Sequence, residues 1–391
     1  MDFRLSEEQS LFQSSVRGFA ERHLKEAAVA RARDPRFPWE VARLCAEQGL
    51  LGITIPETDG GQGGSLMDAI IAIEEVAQLC PRSADAVQAG NFGPIRTLSE
   101  YGTAEQKGRL LPPLLAGEGL IALAMSEPEA GSAVTDLKTT AVADGEGYRV
   151  QGSKVFTSNS ADATLFLAYV RFGPGTGGIG SVLIERGAEG LSLGQSSHFM
   201  NGEEWRALYF DDLYVAPENV LLGLGGFRRQ IAAFNVERLG NTARALAVAR
   251  CAFGIAREHA LERHQFGRPL CEFQGLQWKF ADMQIKLDAG QLLLYRAAAG
   301  AENGLPSAQD TAIAKAFCNQ AGFEICNEAL QVMGGAGYSS DSLVEYCFRK
   351  TRGWMIAGGS LEMMKNRIAE GVFGRRFPQR PPSARAAEEP A

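Results

Sequence analysis

Hydrophobic periodicity changes twice along this chain. Residues 1–119 carry apolar side chains at helical spacing, residues 120–222 run in short apolar stretches bounded by turn residues, and residues 223–375 return to long helical pieces. Helices, then strands, then long helices is a rare order, and it narrows the possible folds more than any composition figure does. It predicts an α+β multidomain chain. An N-terminal helical domain covers 1–119, a central antiparallel β-barrel or sandwich domain 120–222, and a C-terminal four-helix-bundle domain 223–375. The remainder, 376–391, is rich in Pro, Ala, Arg and Glu and reads as a disordered tail.

Local signals support each part. Ser6-x-x-Gln9 and Ser65-x-x-Asp68 are capping boxes. Gly52 to Pro56 reads as a short extended piece, and one helix is expected from about Ser83 to Tyr101. In the middle, Thr139–Val142, Tyr148–Val150, Val155–Thr157, Leu165–Val170 and Ser181–Ile184 read as strands. Beyond them, long helices are expected from about Phe227 to His264 and Phe273 to Gly304, and from after Pro306 to Gly334.

Composition bounds the function. A net charge of -7 argues against nucleic acid as a partner. The chain has no run of 18 apolar residues, and its first residues are acidic and polar, unlike a signal peptide. Seven scattered cysteines, never in CxxC spacing, read as the reduced thiols of a cytoplasmic protein. Four histidines without metal spacing suggest no metal site.

The first switch of period falls at Ala124-Met125-Ser126-Glu127-Pro128-Glu129-Ala130-Gly131-Ser132. An apolar strand ends at Pro128, which offers no ladder donor, and Gly131-Ser132 allows a close backbone turn. Such a turn suits a large polar cofactor or an ordinary loop. Four further segments follow in order: Lys154-Val155-Phe156-Thr157-Ser158-Asn159, Arg263-His264-Gln265-Phe266-Gly267-Arg268, Gln331-Val332-Met333-Gly334-Gly335-Ala336-Gly337-Tyr338 and Ile356-Ala357-Gly358-Gly359-Ser360. Together these five resemble the acyl-CoA dehydrogenase family over about residues 1–375.

The resemblance implies FAD, an acyl-CoA or acyl-carrier-protein substrate, an electron-transfer flavoprotein as acceptor, and a homotetramer or homodimer. It places Met125, Ser126, Gly131, Ser132, Phe156, Ser158 and Ser360 at the cofactor, with Ser132 also facing substrate. Arg263, Phe266, Gln331 and Gly335 would bind the FAD of a neighbouring subunit, and Gln274 is a further cofactor-binding residue. The chemistry agrees: a flavin ring wants a flat apolar neighbour and hydrogen-bond donors, and a pyrophosphate wants an arginine fork. On residues alone, Phe156 also reads as a core strand aromatic, Arg263 as a surface ion-pair partner and Gly334-Gly335 as a plain helix C-cap.

Dehydrogenation beside a thioester needs a carboxylate base in an apolar site. Most members of the family carry it just before the last flavin turn, where this chain has Gly358. A minority carry it in a Glu-Arg-Leu sequence on the first bundle helix, matched here by Glu237-Arg238-Leu239. Glu237 shares a helix face with Ala233, Gly240 and Asn241, none of them bulky and apolar, which leaves room for a ligand. Arg238 points about 100° away, so it need not neutralise Glu237, and the resemblance implies that it contacts the substrate or its pantetheine arm.

Three departures stand out: Ala133 where the family has Asp, Asn201 and Trp205 in place of its Arg and Thr, and Lys350 in place of Asp. Trp205 either lines a pocket or packs in the sheet. Ser132-Ala133 and Ile356–Gly359 resemble a subgroup that includes 3-sulfinopropionyl-CoA desulfinases, FAD lyases without net oxidation. Those carry glutamine at the Glu237 position, and glutamine cannot take a proton. They also hold the substrate anion with an arginine from the early helices. Arg82 lies near that place, either as a ligand for a distal carboxylate or as a solvated charge at a helix start. A binding-only flavoprotein and a monooxygenase of the same fold are the remaining alternatives.

Overall fold

A computed structural model describes residues 4–301 and 304–379. Of the expected tail, 380–391 lie outside the described residues, and 376–379 are irregular. Seven helices open the described chain: α1 (Glu7–His23), α2 (Ala28–Arg33), α3 (Trp39–Glu47), α4 (Leu66–Leu79), α5 (Ala84–Asn91), α6 (Pro94–Tyr101) and α7 (Ala104–Leu115). Both capping boxes form, with Ser6 accepting from the Gln9 N–H and Ser65 from the Asp68 N–H. The single helix expected over 83–101 is two, because Gly93 takes φ 71°, ψ -136°, which only glycine adopts readily, and Pro94 then starts α6. Gly52–Pro56 is a turn rather than an extended piece.

The middle strands are β1 (Ile121–Ala124), β2 (Thr140–Asp144), β3 (Gly147–Lys154), β4 (Leu165–Arg171), β5 (Ile179–Glu185), β6 (Leu191–Leu193), β7 (Ser197–His198), β8 (Glu204–Trp205), β9 (Leu208–Val215) and β10 (Val220–Leu222). The main sheet runs β10-β5-β4-β2-β3-β9-β6, with β1 beside β4. It is open, so of the two expected forms the sandwich fits and the closed barrel does not. Nor is it wholly antiparallel: β1 pairs with β4 in parallel, Ile121 opposite Leu165. β4 is buried at six consecutive residues because both its faces are covered. Phe166, Ala168 and Val170 join the large core, while Leu165 and Leu167 pack in a cluster with Leu98 of α6 and Leu111 of α7. β9 alternates buried and exposed residues over most of its length, as a strand with one wet face should.

The last third holds α8 (Phe227–Glu262), a hairpin of β11 (His264–Gln265) and β12 (Arg268–Pro269), α9 (Gln274–Ala299), α10 (Ala308–Met333), α11 (Gly335–Tyr338), α12 (Leu343–Trp354) and α13 (Leu361–Phe373). α10 packs against α8, α9, α12 and α13, as expected of a bundle. α8 also packs against α4 and α6, so the first and last domains share a core.

That shared core buries a carboxylate. Glu74 of α4 accepts hydrogen bonds from Gln291 Nε2 and the Tyr295 hydroxyl of α9, each at 3.2 Å. Burial pushes its carboxyl up to about 7. In the unfolded chain a glutamate titrates near about 4.3. Between those values the folded state keeps a proton that the unfolded state has lost, so stability falls as pH rises through that window. Glu74→Gln is therefore expected to stabilise the protein by about 1–3 kcal/mol at pH 8 and by little at pH 4. Urea midpoints at the two pH values check this, and an equal shift at both would contradict it.

Candidate active site

Two strand ends lie side by side at the edge of the sheet domain. β1 runs out at Met125-Ser126 and β3 at Lys154, and the Val155 N–H donates to the Ser126 carbonyl at 2.9 Å. Lys154 is fully buried; its Nζ donates to the Met125 carbonyl at 3.2 Å and pairs with Glu127 at 2.8 Å. Burial pushes its amine down to about 8. Burial alone would raise the Glu127 carboxyl, but Lys154 and the backbone N–H of Lys138 hold it below its usual range. The turn that carries Met125 and Ser126 is thus pinned from beneath by a buried ion pair.

Past Lys154 the chain leaves the sheet. The strand expected through Thr157 does not form, because Phe156 has φ +56° and Asn159 φ +60°, left-handed values that β structure excludes. Phe156 is accordingly no core aromatic: it is 61 % exposed, with its ring 4.8 Å from that of Trp205. Trp205 stacks in turn on Phe199 at 5.8 Å. The side chain of Asn201 accepts from the Glu203 N–H at 3.2 Å, closing the loop below. Ser158, Gly131 and Ser132 are exposed, and a Cβ on Gly131 would meet nothing within 4 Å. An outward aromatic ring backed by two more rings, beside open backbone and a free serine, fits a flat heteroaromatic ligand such as a flavin.

The other half of the site comes from α8. Glu237 is half-buried. Its Oε1 accepts from Asn241 Nδ2 at 2.9 Å, and its Oε2 accepts from Gln88 Nε2 of α5 at 2.8 Å. A Cβ on Gly93 would stand 2.3 Å from Oε2, so the α5–α6 break is shaped around this carboxylate. Arg238 points elsewhere, as expected. It donates from Nε to the Gly358 carbonyl at 2.9 Å and from Nη1 to Asn235 Oδ1 at 2.8 Å. Burial lowers its guanidinium to about 10. Behind Gly358, Lys315 of α10 is fully buried; its Nζ donates to the Trp354 and Ala357 carbonyls at 3.0 and 2.9 Å. Burial pushes that amine down to about 7. A Cβ on Gly358 would lie 3.5 Å from Asn241 Nδ2 and 3.7 Å from Lys315 Nζ. Ser360 caps α13.

Arg82 corrects both expectations for it. It is 1 % exposed, so it is not a solvated charge, and its guanidinium is committed within the protein rather than offered to a ligand. Nη1 pairs with Asp85 and, at 3.3 Å, with Glu203, while Nη2 donates to the Arg36 carbonyl at 2.5 Å. Asp85 also pairs with Arg244 of α8 and, at 2.8 Å, with Lys350 of α12, and Lys350 pairs with Glu203. Lys350, noted as a departure, is thus a buried partner of Asp85.

Arg263, Phe266, Gln274, Gln331 and Gly335 form a separate, outward set. Phe266 sits at the hairpin tip, 95 % exposed, with φ +50°. No hydrogen bond, ion pair or ring contact among the described residues joins this set to Met125, Phe156 or Glu237. Gln88, Gly93 and Lys315 had no signal of their own in the sequence beyond the Gly-Pro turn.

Three family models match in order: the acyl-CoA dehydrogenase N-terminal domain over residues 6–118, the middle domain over 122–213 and the C-terminal domain over 225–373. The fold and its matches define an oxidoreductase acting on CH–CH donors. The chain belongs to the acyl-CoA dehydrogenase family. It is similar to a short-chain-specific acyl-CoA dehydrogenase of Clostridium acetobutylicum, 35 % identical over 95 % of this chain and 100 % of that one. It is also similar to a 3-sulfinopropanoyl-CoA desulfinase of Paraburkholderia xenovorans, 32 % identical over 97 % and 99 %. Among solved structures, a glutaryl-coenzyme A dehydrogenase in complex with glutaryl-CoA aligns with TM-score 0.92 at 30 % identity, covering 97 % of this chain and 98 % of that one.

Gly93→Ala tests how tightly the site is built. The added methyl collides with Glu237 and forces a left-handed backbone on alanine. It is expected to lower turnover at least about tenfold and stability by about 1–3 kcal/mol. Wild-type kinetics in that variant would show that the carboxylate position is not critical.

Proposed function

We propose that this protein is an FAD-dependent α,β-dehydrogenase of an acyl-CoA or acyl-carrier-protein thioester, with Glu237 as the base that removes the α-proton. The observation that carries the reading is the convergence at Asn241. Its Nδ2 holds Glu237 and also lies 3.5 Å from where a side chain on Gly358 would begin. The two places from which this family supplies its base therefore lie beside one amide, and only one of them carries a carboxylate.

Met125, Ser126, Gly131, Ser132, Phe156, Ser158 and Ser360 would hold the FAD, and Ser132 and Arg238 would also face the substrate. FAD supplies the hydride acceptor for the β-carbon. The chain's part is to orient the thioester, exclude water and take the α-proton on a Glu237 oxygen. Arg238, drawn onto the Gly358 carbonyl, leaves Glu237 unneutralised by its chain neighbour. The glutamate at 237 favours dehydrogenation over the lyase chemistry of the desulfinase relatives, and the pairing of Arg82 with Asp85 and Glu203 weighs against its holding an ω-anion. The substrate class favoured is a short acyl thioester, as in the names of both relatives.

Arg263, Phe266, Gln274, Gln331 and Gly335 would complete the FAD site of a neighbouring copy in a homotetramer or homodimer. Trp278, Ile285 and Leu292 stand exposed at seven-residue spacing along α9, an apolar stripe suited to such a contact. An electron-transfer flavoprotein would reoxidise the reduced enzyme.

Anaerobic titration of the purified holoenzyme with short acyl-CoAs should bleach the flavin. Glu237→Gln should keep FAD and slow bleaching by about 10²–10⁴. Normal bleaching in that variant would sink the base assignment. Sulfite release from a sulfinyl thioester without bleaching would point to the lyase.

A further inference from the structure

The base proposed above is held by two amides, and one of them is itself held by a buried ionic cluster. Glu237 receives one hydrogen bond on each oxygen, from Asn241 Nδ2 at 2.9 Å and Gln88 Nε2 at 2.8 Å. Asn241 Oδ1 accepts from Arg244 Nη2 at 2.5 Å. Chemistry alone fixes this amide's orientation. An arginine accepts nothing and a carboxylate donates nothing, so the oxygen must face Arg244 and the nitrogen Glu237. Arg244 cannot swing away, because Nη1 is paired with Asp85 and its guanidinium lies 4.8 Å over the Trp354 ring. Asp85 is anchored by Arg82 and Lys350, and those two by Glu203. The cluster holds three cations against two carboxylates, so one positive charge is in excess.

Gln88 is placed with equal firmness. Its Oε1 is buried without a partner, and a Cβ on Gly240 would lie 2.4 Å from it. The side chain gives up one hydrogen bond at a cost of about 1–3 kcal/mol while keeping the one to Glu237. Gly240 and Gly93 leave the space in which both amide and carboxylate sit.

We propose that Gln88 and Asn241 are positioning residues for Glu237, and that the Arg82–Asp85–Arg244–Lys350–Glu203 cluster serves the reaction by locking the Asn241 amide in its donating orientation. This rests on Glu237 being the base. The pair fixes the carboxylate, one donor to each oxygen, so that a lone pair on it is already aimed when substrate arrives. That is orientation prepared in the fold rather than assembled at each turnover.

The test uses the FAD-loaded holoenzyme and a short acyl-CoA. Asn241→Asp keeps the size and gives Arg244 a stronger acceptor, but it cannot donate to Glu237. Asn241→Leu and Gln88→Leu each remove a donor at similar volume. Each variant is expected to lose about ten- to a hundredfold in kcat, the worth of one hydrogen bond to a charged group, with KM for the thioester and FAD content unchanged. Solvent deuterium uptake at the α-carbon of a thioester that lacks a β-hydrogen should fall by the same factor, since that step needs the base alone. A purely structural role predicts the reverse for Asn241→Asp, which preserves packing and the Arg244 contact. Should Asn241→Asp retain kcat and exchange within twofold of wild type, the proposal is overturned. Should the Asn241 variants fail to fold, Gln88→Leu decides by the same criterion. Failure of the base reading looks different, since Glu237→Gln would then keep full exchange.

Discussion

Asp85 is the contact on which the site depends. It is a fully buried carboxylate shared by Arg82 of the segment before α5, Arg244 of α8 and Lys350 of α12. Burial works against its charge, but Lys350, Arg244 and Arg82 together hold its carboxyl well below the usual range. Glu203, from the β7–β8 turn, closes the cluster from the sheet domain. All three domains thus meet in one ionic cluster. Breaking a buried pair costs about 3–5 kcal/mol because it strands the remaining charge, and here loss of Asp85 would leave three cations to share Glu203. Such a cluster tolerates little displacement of one domain against another, which is what a site assembled from all three requires.

The two flanks of the Gly358 turn bear on the proposal that the base sits on α8 instead. Arg238 and Lys315 donate into the carbonyls of Gly358, Trp354 and Ala357, so the turn is pinned from both sides although it carries no side chain of its own. Gly358 and Gly359 both take left-handed φ, 72° and 92°. The turn thus keeps its shape through backbone bonds, and the carboxylate opposite it is supplied by a helix that packs on both α4 and α6. A helix is a stiffer mount than a turn, and the amides around Glu237 make use of that stiffness.

Much of this was legible in the sequence where the signal was periodic. The three domains, the long helices and the caps follow from spacing that any window shows, whereas Glu237 is singled out only by the family resemblance, with Gly358 bare at the other position. What escaped was assembled across distance. Asp85 and Lys350 are 265 residues apart, and nothing local in either hints at a partner. Arg82 read as a helix-start charge because a lone arginine after proline usually is one. Lys315 lies in a pattern that any amphipathic helix would give. The Phe92-Gly93-Pro94 break did carry a local signal, a Gly-Pro dipeptide, overridden by the helical residues on both sides. Phe156 was read into a strand because its neighbours Val155 and Thr157 favour one; only the backbone angle reveals that it has turned outward.

That angle has an evolutionary side. Phe156 and Asn159 hold a conformation that costs an ordinary residue about 1–3 kcal/mol and a glycine almost nothing. Glycine at 156 would relax the backbone and remove an exposed aromatic ring in one step. Selection for stability alone would favour it, and so would a consensus-free thermostability screen. If Phe156 stacks on the flavin as proposed, position 156 is a place where backbone strain and ligand binding pull in opposite directions. Stabilised variants of this protein are best sought elsewhere, at Glu74 for example, where no such conflict exists.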